Sequence, residues 1–243
     1  DHIYEVDVET LERARPDLVI TQDLCDVCAI SFEDVQSAVL QLETPPRLIS
    51  LGPGSLDDVM DDVRRVGGAT GRTEQASSIT AGLKRRIEEV RSTVAGTAHR
   101  PRVACIEWVD PLMLAGHWMP EMVELAGGAN CFGDKEMGSF PLEWTDVVAS
   151  QPDVIVLMPC GFEIKRALED LPLVAGKEGW ETMPAVRNNR VYVIDASAYT
   201  SRSGPRLVTG LEIMAEMIHP ELFSGMIPES GALRLYGNTA GVK

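Results

Sequence analysis

The chain has 243 residues, 44% of them hydrophobic and 24% charged, an ordinary make-up for a globular protein able to bury one or two cores. Its formal charge of −15 argues against nucleic acid as a partner, because phosphate binding needs a basic surface, and suits solvation or docking onto a basic partner. No apolar run approaches the roughly 18 residues of a membrane-spanning helix.

The chain opens at Asp1 with neither methionine nor a signal-peptide pattern, which reads as a mature form, a trimmed sequence or a fragment. Five cysteines (Cys25, Cys28, Cys105, Cys131 and Cys160) are odd in number and too sparse for a disulfide scaffold. Their presence leans towards a reducing compartment.

The pattern predicts a helix over residues 8–15 and a strand over 17–21. Ser31 then caps a helix over 32–42, with Glu33 and Asp34 in its first turn. Pro45-Pro46 stops the chain before a strand at 47–51, which Gly52-Pro53-Gly54 turns. Ser55 caps the next helix, whose apolar positions are Leu56, Val59, Met60, Val63 and Val66, and Gly67-Gly68 and Gly71 end it. The clearest helix follows over 73–94. Ala76, Ile79, Leu83, Ile87, Val90 and Val94 recur at steps of 3, 4, 4, 3 and 4, with charged residues between them. It would be about 33 Å long at about 1.5 Å per residue, long enough to cross a domain boundary.

Beyond the break at residues 96–101 the pattern resumes: a strand at 102–108, a helix at 120–125 closed by Gly127-Gly128, and a helix at 142–149. A strand at 153–158, a helix at 162–171, a strand at 190–195 and a helix at 205–218 complete it. Residues past Pro220 show little periodicity and read as a tail, packed on the surface or partly disordered. The division this implies is an N-terminal α/β lobe over 1–72, a bridging helix over 73–97, a C-terminal α/β lobe over 98–220 and the tail over 221–243.

One phrase occurs twice. Pro16-Asp17-Leu18-Val19-Ile20 follows a short amphipathic stretch and leads into Cys25; Pro152-Asp153-Val154-Ile155-Val156 does the same and leads into Cys160. Each copy reads as helix, Pro-Asp corner, buried parallel strand and cysteine-bearing loop. Open α/β sheets bind ligands beyond the carboxyl ends of their strands, so two such units offer loops to a shared cleft.

These elements, with the stretches running from Glu121 to Asn130 (EMVELAGGAN) and from Trp180 to Tyr192 (WETMPAVRNNRVY), resemble in their order the substrate-binding proteins of ABC importers for cobalamin, haem and ferric siderophores. The likeness covers residues 5–220 and lies nearest the cobalamin-binding subgroup. It implies two Rossmann-like α/β lobes bridged by one long helix, a monomer that is not an enzyme and holds no resident cofactor, and a cobalamin or other metal-chelate ligand. It further implies an ABC permease partner and an extracytoplasmic location, whereas the cysteines suit a cytoplasmic one. A continuous bridging helix also implies only small closure around the ligand. The sequence departs from the family pattern in lacking the usual first strand and helix, which would lie before Asp1, so the first lobe reads as truncated. No motif fixes the acid that docks the C-terminal lobe on the permease; Glu121, Glu143 and Asp146 are candidates.

Four loops should line the cleft: residues 22–28, 107–118, 159–162 and 196–205. They supply Cys25, Asp26, Glu107, Trp108, His117, Trp118, Cys160, Gly161, Phe162, Tyr199 and Arg202 as candidate ligand contacts. Trp108, Trp118 and Tyr199 offer flat faces to a macrocycle, although a strand-end tryptophan is as often core. Arg202, just ahead of a helix start at Pro205, suits a phosphate or carboxylate, or the turn is ordinary capping. A neutral His117 imidazole can coordinate cobalt or iron. Cys25, Cys28, Cys160 and His117 together make an alternative metal or thiol site; buried inert thiols are the other reading. An intracellular ligand-binding or metal/thiol sensor on the same fold is the alternative to transport. No Ser-His-Asp or Cys-His pairing and no dinucleotide fingerprint stands out.

Overall fold

The computed structural model describes residues 5–24, 30–135 and 137–236. Helix α1 (Val8–Ala14) leads to strand β1 (Leu18–Gln22), and α2 (Phe32–Val39) to β2 (Arg47–Leu51), which pairs parallel with β1. Ser31 accepts the Asp34 amide as the N-cap of α2. Helix α3 (Leu56–Ala69) starts on a capping box of Ser55 and Asp58, and α4 (Thr73–Val94) follows it.

The second sheet is larger. Strand β3 (Arg102–Val109) turns into β4 (Leu112–Leu114), followed by α5 (Met119–Leu125), β5 (Ala129–Asn130) and β6 (Phe140–Pro141). Helix α6 (Trp144–Ala149) then leads to β7 (Val154–Leu157), and α7 (Ile164–Ala175) with the short α8 (Pro184–Arg187) to β8 (Val191–Ile194). The short α9 (Ala196–Tyr199), the long α10 (Arg206–Ile218) and β9 (Ala232–Leu235) complete the chain. Sheet order is β6-β4-β3-β7-β8-β9, with β5 beside β3; β3, β7 and β8 run parallel, and β4 and β9 run antiparallel to their neighbours.

Strand alternation sorts the core into two layers. Val103, Cys105, Val154, Val156, Tyr192 and Ile194 face α4, α5 and α10, while Ala104, Ile106, Ile155, Leu157, Val191 and Val193 face α6, α7 and α8. Leu56 and Val59 of α3 and Val90 and Val94 of α4 join the first layer, so the two lobes share a core. The molecule is thus two α/β lobes bridged by α4. Arg86 on α4 secures the bridge, its Nε and Nη2 donating to the Glu212 carboxylate of α10 at 2.7 and 2.6 Å and Nη2 also to Thr209 Oγ1 at 2.8 Å.

The Pro-Asp repeat is reproduced in backbone detail. Arg15 and Gln151, each just before the proline, both take left-handed conformations, with φ of 45° and 44°. Each donates its amide back to a carbonyl three residues earlier, closing the preceding helix.

Three expectations need correction. Gly67-Gly68 does not end α3, because Gly67 lies against α4, where a Cβ would meet that of Ala76 at 2.3 Å, and the helix continues to Ala69. Ile79 is 46% exposed rather than part of the buried stripe of α4, since only the faces against α3, α5 and α10 are covered. The stretch past Pro220 is not merely a surface tail: Glu216 on α10 takes the amides of Met226 and Ile227, and β9 then pairs with β8.

Candidate functional site

A cavity of about 590 Å³ opens where the C-terminal ends of β1, β3 and β7 converge. The small lobe contributes Gln22 and Leu24, and Leu24 also packs against the core of the large lobe. The large lobe contributes Glu107, Trp108 and Met113 from the β3–β4 hairpin, and Ala115 to Met119 leading into α5. Gly138 and Ser139 ahead of β6, Met158 and Cys160 after β7, and Thr200 to Ser203 ahead of α10 close the ring. Members of all four expected loops therefore meet at one cavity.

Hydrogen bonds between these loops hold the wall together. The Cys160 amide donates to the Glu107 carbonyl at 3.3 Å and the Gly161 amide to Ser201 Oγ at 2.9 Å. Trp118 Nε1 donates to the Thr200 carbonyl at 2.9 Å, and the Gly116 amide reaches Ser139 Oγ at 3.4 Å. His117, at φ 53°, donates its amide to the Met137 carbonyl. Gly116 beside it is obligatory, because a Cβ there would meet the backbone of Met137 and Gly138 at 2.3–2.5 Å. These bonds fix the loops relative to one another through the protein's own groups, and a wall held in this way lowers the ordering cost of binding.

Individual side chains differ in what they can offer. Trp108 is half-buried and meets Phe162 edge-on, with ring centroids 5.4 Å apart and planes at 79°. The Arg166 guanidinium lies 4.5 Å from the centre of the Phe162 ring. Phe162 thus acts through Trp108 and is not itself in the cavity wall. Trp118 is only 4% exposed and belongs to the core, so it is more a foundation of the wall than a free stacking face. Burial lowers the His117 pKa, leaving a neutral imidazole at neutral pH. Burial likewise raises the Glu107 pKa, opposed by a hydrogen bond from the Ser139 hydroxyl. Arg202 is exposed at the cavity rim and makes no ion pair among the described residues.

Other candidates fall elsewhere. Gly161 and Tyr199 do not line the cavity: Gly161 sits at the tip of its turn, and Tyr199 packs against the core, its carbonyl so close to Gly210 that a Cβ there would lie 2.2 Å away. Cys25, Asp26 and Cys28 lie outside the described residues. His117 and Cys160 share the cavity, but among the described residues no three His, Cys, Asp or Glu side chains gather as a metal site. Glu121 is taken up internally. Its Oε2 accepts the Leu56 amide at 2.9 Å, so α5 of one lobe caps α3 of the other. Glu143 and Asp146 are exposed. Sequence reasoning missed Ser139 and the methionines Met113, Met119 and Met158. Met158 was within reach, standing at a strand end, whereas Ser139 carries no local signal.

The protein matches the family described as periplasmic binding protein over residues 1–198. It is 25% identical over 225 residues to an uncharacterized ABC transporter substrate-binding lipoprotein, YvrC, of Bacillus subtilis, an alignment covering 90% of this chain and 67% of that one. It is 23% identical over 160 residues to a vitamin B12-binding protein of Vibrio cholerae, covering 65% of this chain, and spans about half (54%) of that relative. Its fold superposes on the apo form of the periplasmic heme-binding protein RhuT from Roseiflexus sp. RS-1 with a TM-score of 0.72, at 22% identity and covering 90% of this chain and 81% of that one. With the two bridged lobes, the cleft at their strand ends and a family match over most of its length, this chain belongs to the periplasmic binding protein family.

Proposed function

We propose that this protein is the capture subunit of an ABC importer and holds a macrocyclic metal chelate, a corrinoid or haem, in the cleft between its lobes. The observation that supports it most is the character of the cavity, whose wall combines two tryptophans and three methionines with a few polar groups at separate places. Such a surface suits a large flat apolar body oriented by a small number of contacts. The relatives described as binding vitamin B12 or heme favour the same class. A neutral His117 is placed to approach a metal centre without first losing a proton. The role is binding rather than catalysis, with the ligand as cargo. The relative described as a substrate-binding lipoprotein favours an extracytoplasmic location over the intracellular alternative. With Glu121 taken up by the Leu56 amide, Glu143 and Asp146 remain of the three candidate acids for meeting basic residues on a permease.

Titration of the purified protein with cyanocobalamin and with haemin, followed by tryptophan fluorescence and visible absorption, tests this reading. Quenching with saturable, one-to-one binding of either compound supports it, and His117→Ala should then change the visible spectrum of the bound chelate. Absence of binding by both compounds removes this ligand class.

A further inference from the structure

Glu107 is out of place in an apolar wall. It stands near the end of β3, on the face that also carries Val103 and Cys105, beside a register shift in the pairing with β4, and it lines the cavity. Its Oε2 is buried and has no hydrogen-bond partner, while the Ser139 hydroxyl serves the carboxyl group. No cation pairs with it among the described residues. A buried acceptor in this state is costly, and such groups in native proteins commonly answer to a role. Rotation about the last side-chain torsion, which is soft for glutamate, can present either oxygen to the cavity. Arg202 stands on the rim of the same cavity, its guanidinium unpaired among the described residues. The cavity therefore has an acceptor pole within its wall and a cationic pole at its mouth.

We infer that Glu107 selects ligands bearing an N–H or O–H donor on the edge that enters the cavity, and so favours carboxamide-rimmed macrocycles over carboxylate-rimmed ones, with Arg202 receiving an anionic group at the mouth. This rests on the reading that the cavity takes a macrocyclic metal chelate. Once that torsion has turned the unpaired oxygen from its buried position towards the cavity, a carboxamide edge would supply the hydrogen bond it lacks. A carboxylate edge would bring like charges together or leave the acceptor empty. Sites built to receive a donor reject analogues without it far more strongly than apolar walls reject a change of size.

Two corrinoids that share one macrocycle provide the test: dicyanocobinamide, with carboxamide side chains, and dicyanocobyrinic acid, with carboxylates in their place. Affinities are measured for the wild-type protein and for Glu107→Gln and Glu107→Leu, the leucine variant removing the acceptor while filling the space. The wild type should prefer the amide compound by at least about tenfold. Glu107→Leu should reduce that preference to within about threefold, and Glu107→Gln, which keeps an acceptor and loses the charge, should fall between. Equal affinities in the wild type, or a preference unchanged in Glu107→Leu, would overturn the inference while leaving the ligand class intact. Failure of both corrinoids to bind would instead remove cobalamin-like ligands altogether, and this inference with them.

Discussion

Replacing Trp118 with alanine should cost the fold as well as the ligand, whereas the same change at Trp108 should cost mainly the ligand. Trp118 is 4% exposed and packs in the layer between the large sheet and its helices, and its Nε1 holds the Thr200 carbonyl at 2.9 Å. Truncating a buried aromatic costs about 3–5 kcal/mol through lost transfer energy and the cavity left behind. The orphaned Thr200 carbonyl pushes the loss towards the upper end of that range. Whole-domain stabilities are about 5–15 kcal/mol, so the change consumes a large share. At a urea m-value of about 3 kcal/mol/M, a loss of about 4 kcal/mol moves the unfolding midpoint down by about 1.3 M. Trp118→Phe keeps most of the packing and should lose about 1–3 kcal/mol. Trp108, half-buried and touching Phe162 by an edge, should lose roughly half as much as alanine, about 1.5–2.5 kcal/mol. A Trp118→Ala midpoint within about 0.3 M of the wild type would refute the assignment of this ring to the core.

The remaining expectations concern the bridge, the cap, the thiols and the cavity carboxyl. Arg86→Ala should lose about 1–3 kcal/mol in urea unfolding, because it strips a bidentate partner from Glu212 and a donor from Thr209; an unchanged midpoint would show the pair to be idle. Glu121→Ala should cost about 0.5–2 kcal/mol and speed amide exchange at Leu56, while charge reversal at Glu143 or Asp146 should weaken permease docking without that change; the opposite pattern would assign docking to Glu121. Cys105, whose thiol burial pushes up to about 12, should resist thiol reagents at neutral pH, whereas Cys160 in the cavity wall should react and be protected by ligand. Glu107 has a folded pKa raised above its unfolded value, so its contribution to stability is present below the unfolded value of 4.5 and is lost as pH rises through the folded pKa. Urea midpoints measured from pH 4 to pH 8 should therefore show Glu107→Gln gaining on the wild type as pH rises, and parallel profiles would contradict the assigned burial.

Local signals carried much of this protein. The bounds of α4 at Thr73 and Val94 follow from unbroken 3-4 spacing between Gly71 and Gly96, and both Pro-Asp corners lie where the repeated phrase puts them, because each is set by residues a few positions apart. The four loops that meet at the cavity were likewise legible, since strand direction alone fixes the end at which a loop emerges. What the tertiary structure decided depends on partners far along the chain. Trp118 reads as a cleft aromatic until Thr200 takes its N–H, and Glu121 as a free surface acid until Leu56 is found at its carboxylate. Gly67 looks like a helix end until Ala76 of the next helix is seen to need its missing side chain. The β9 strand has no period of its own to announce it and forms because β8 offers an open edge. Periodicity reports which face of an element is apolar; only packing determines what covers that face and which polar groups are left to meet a ligand.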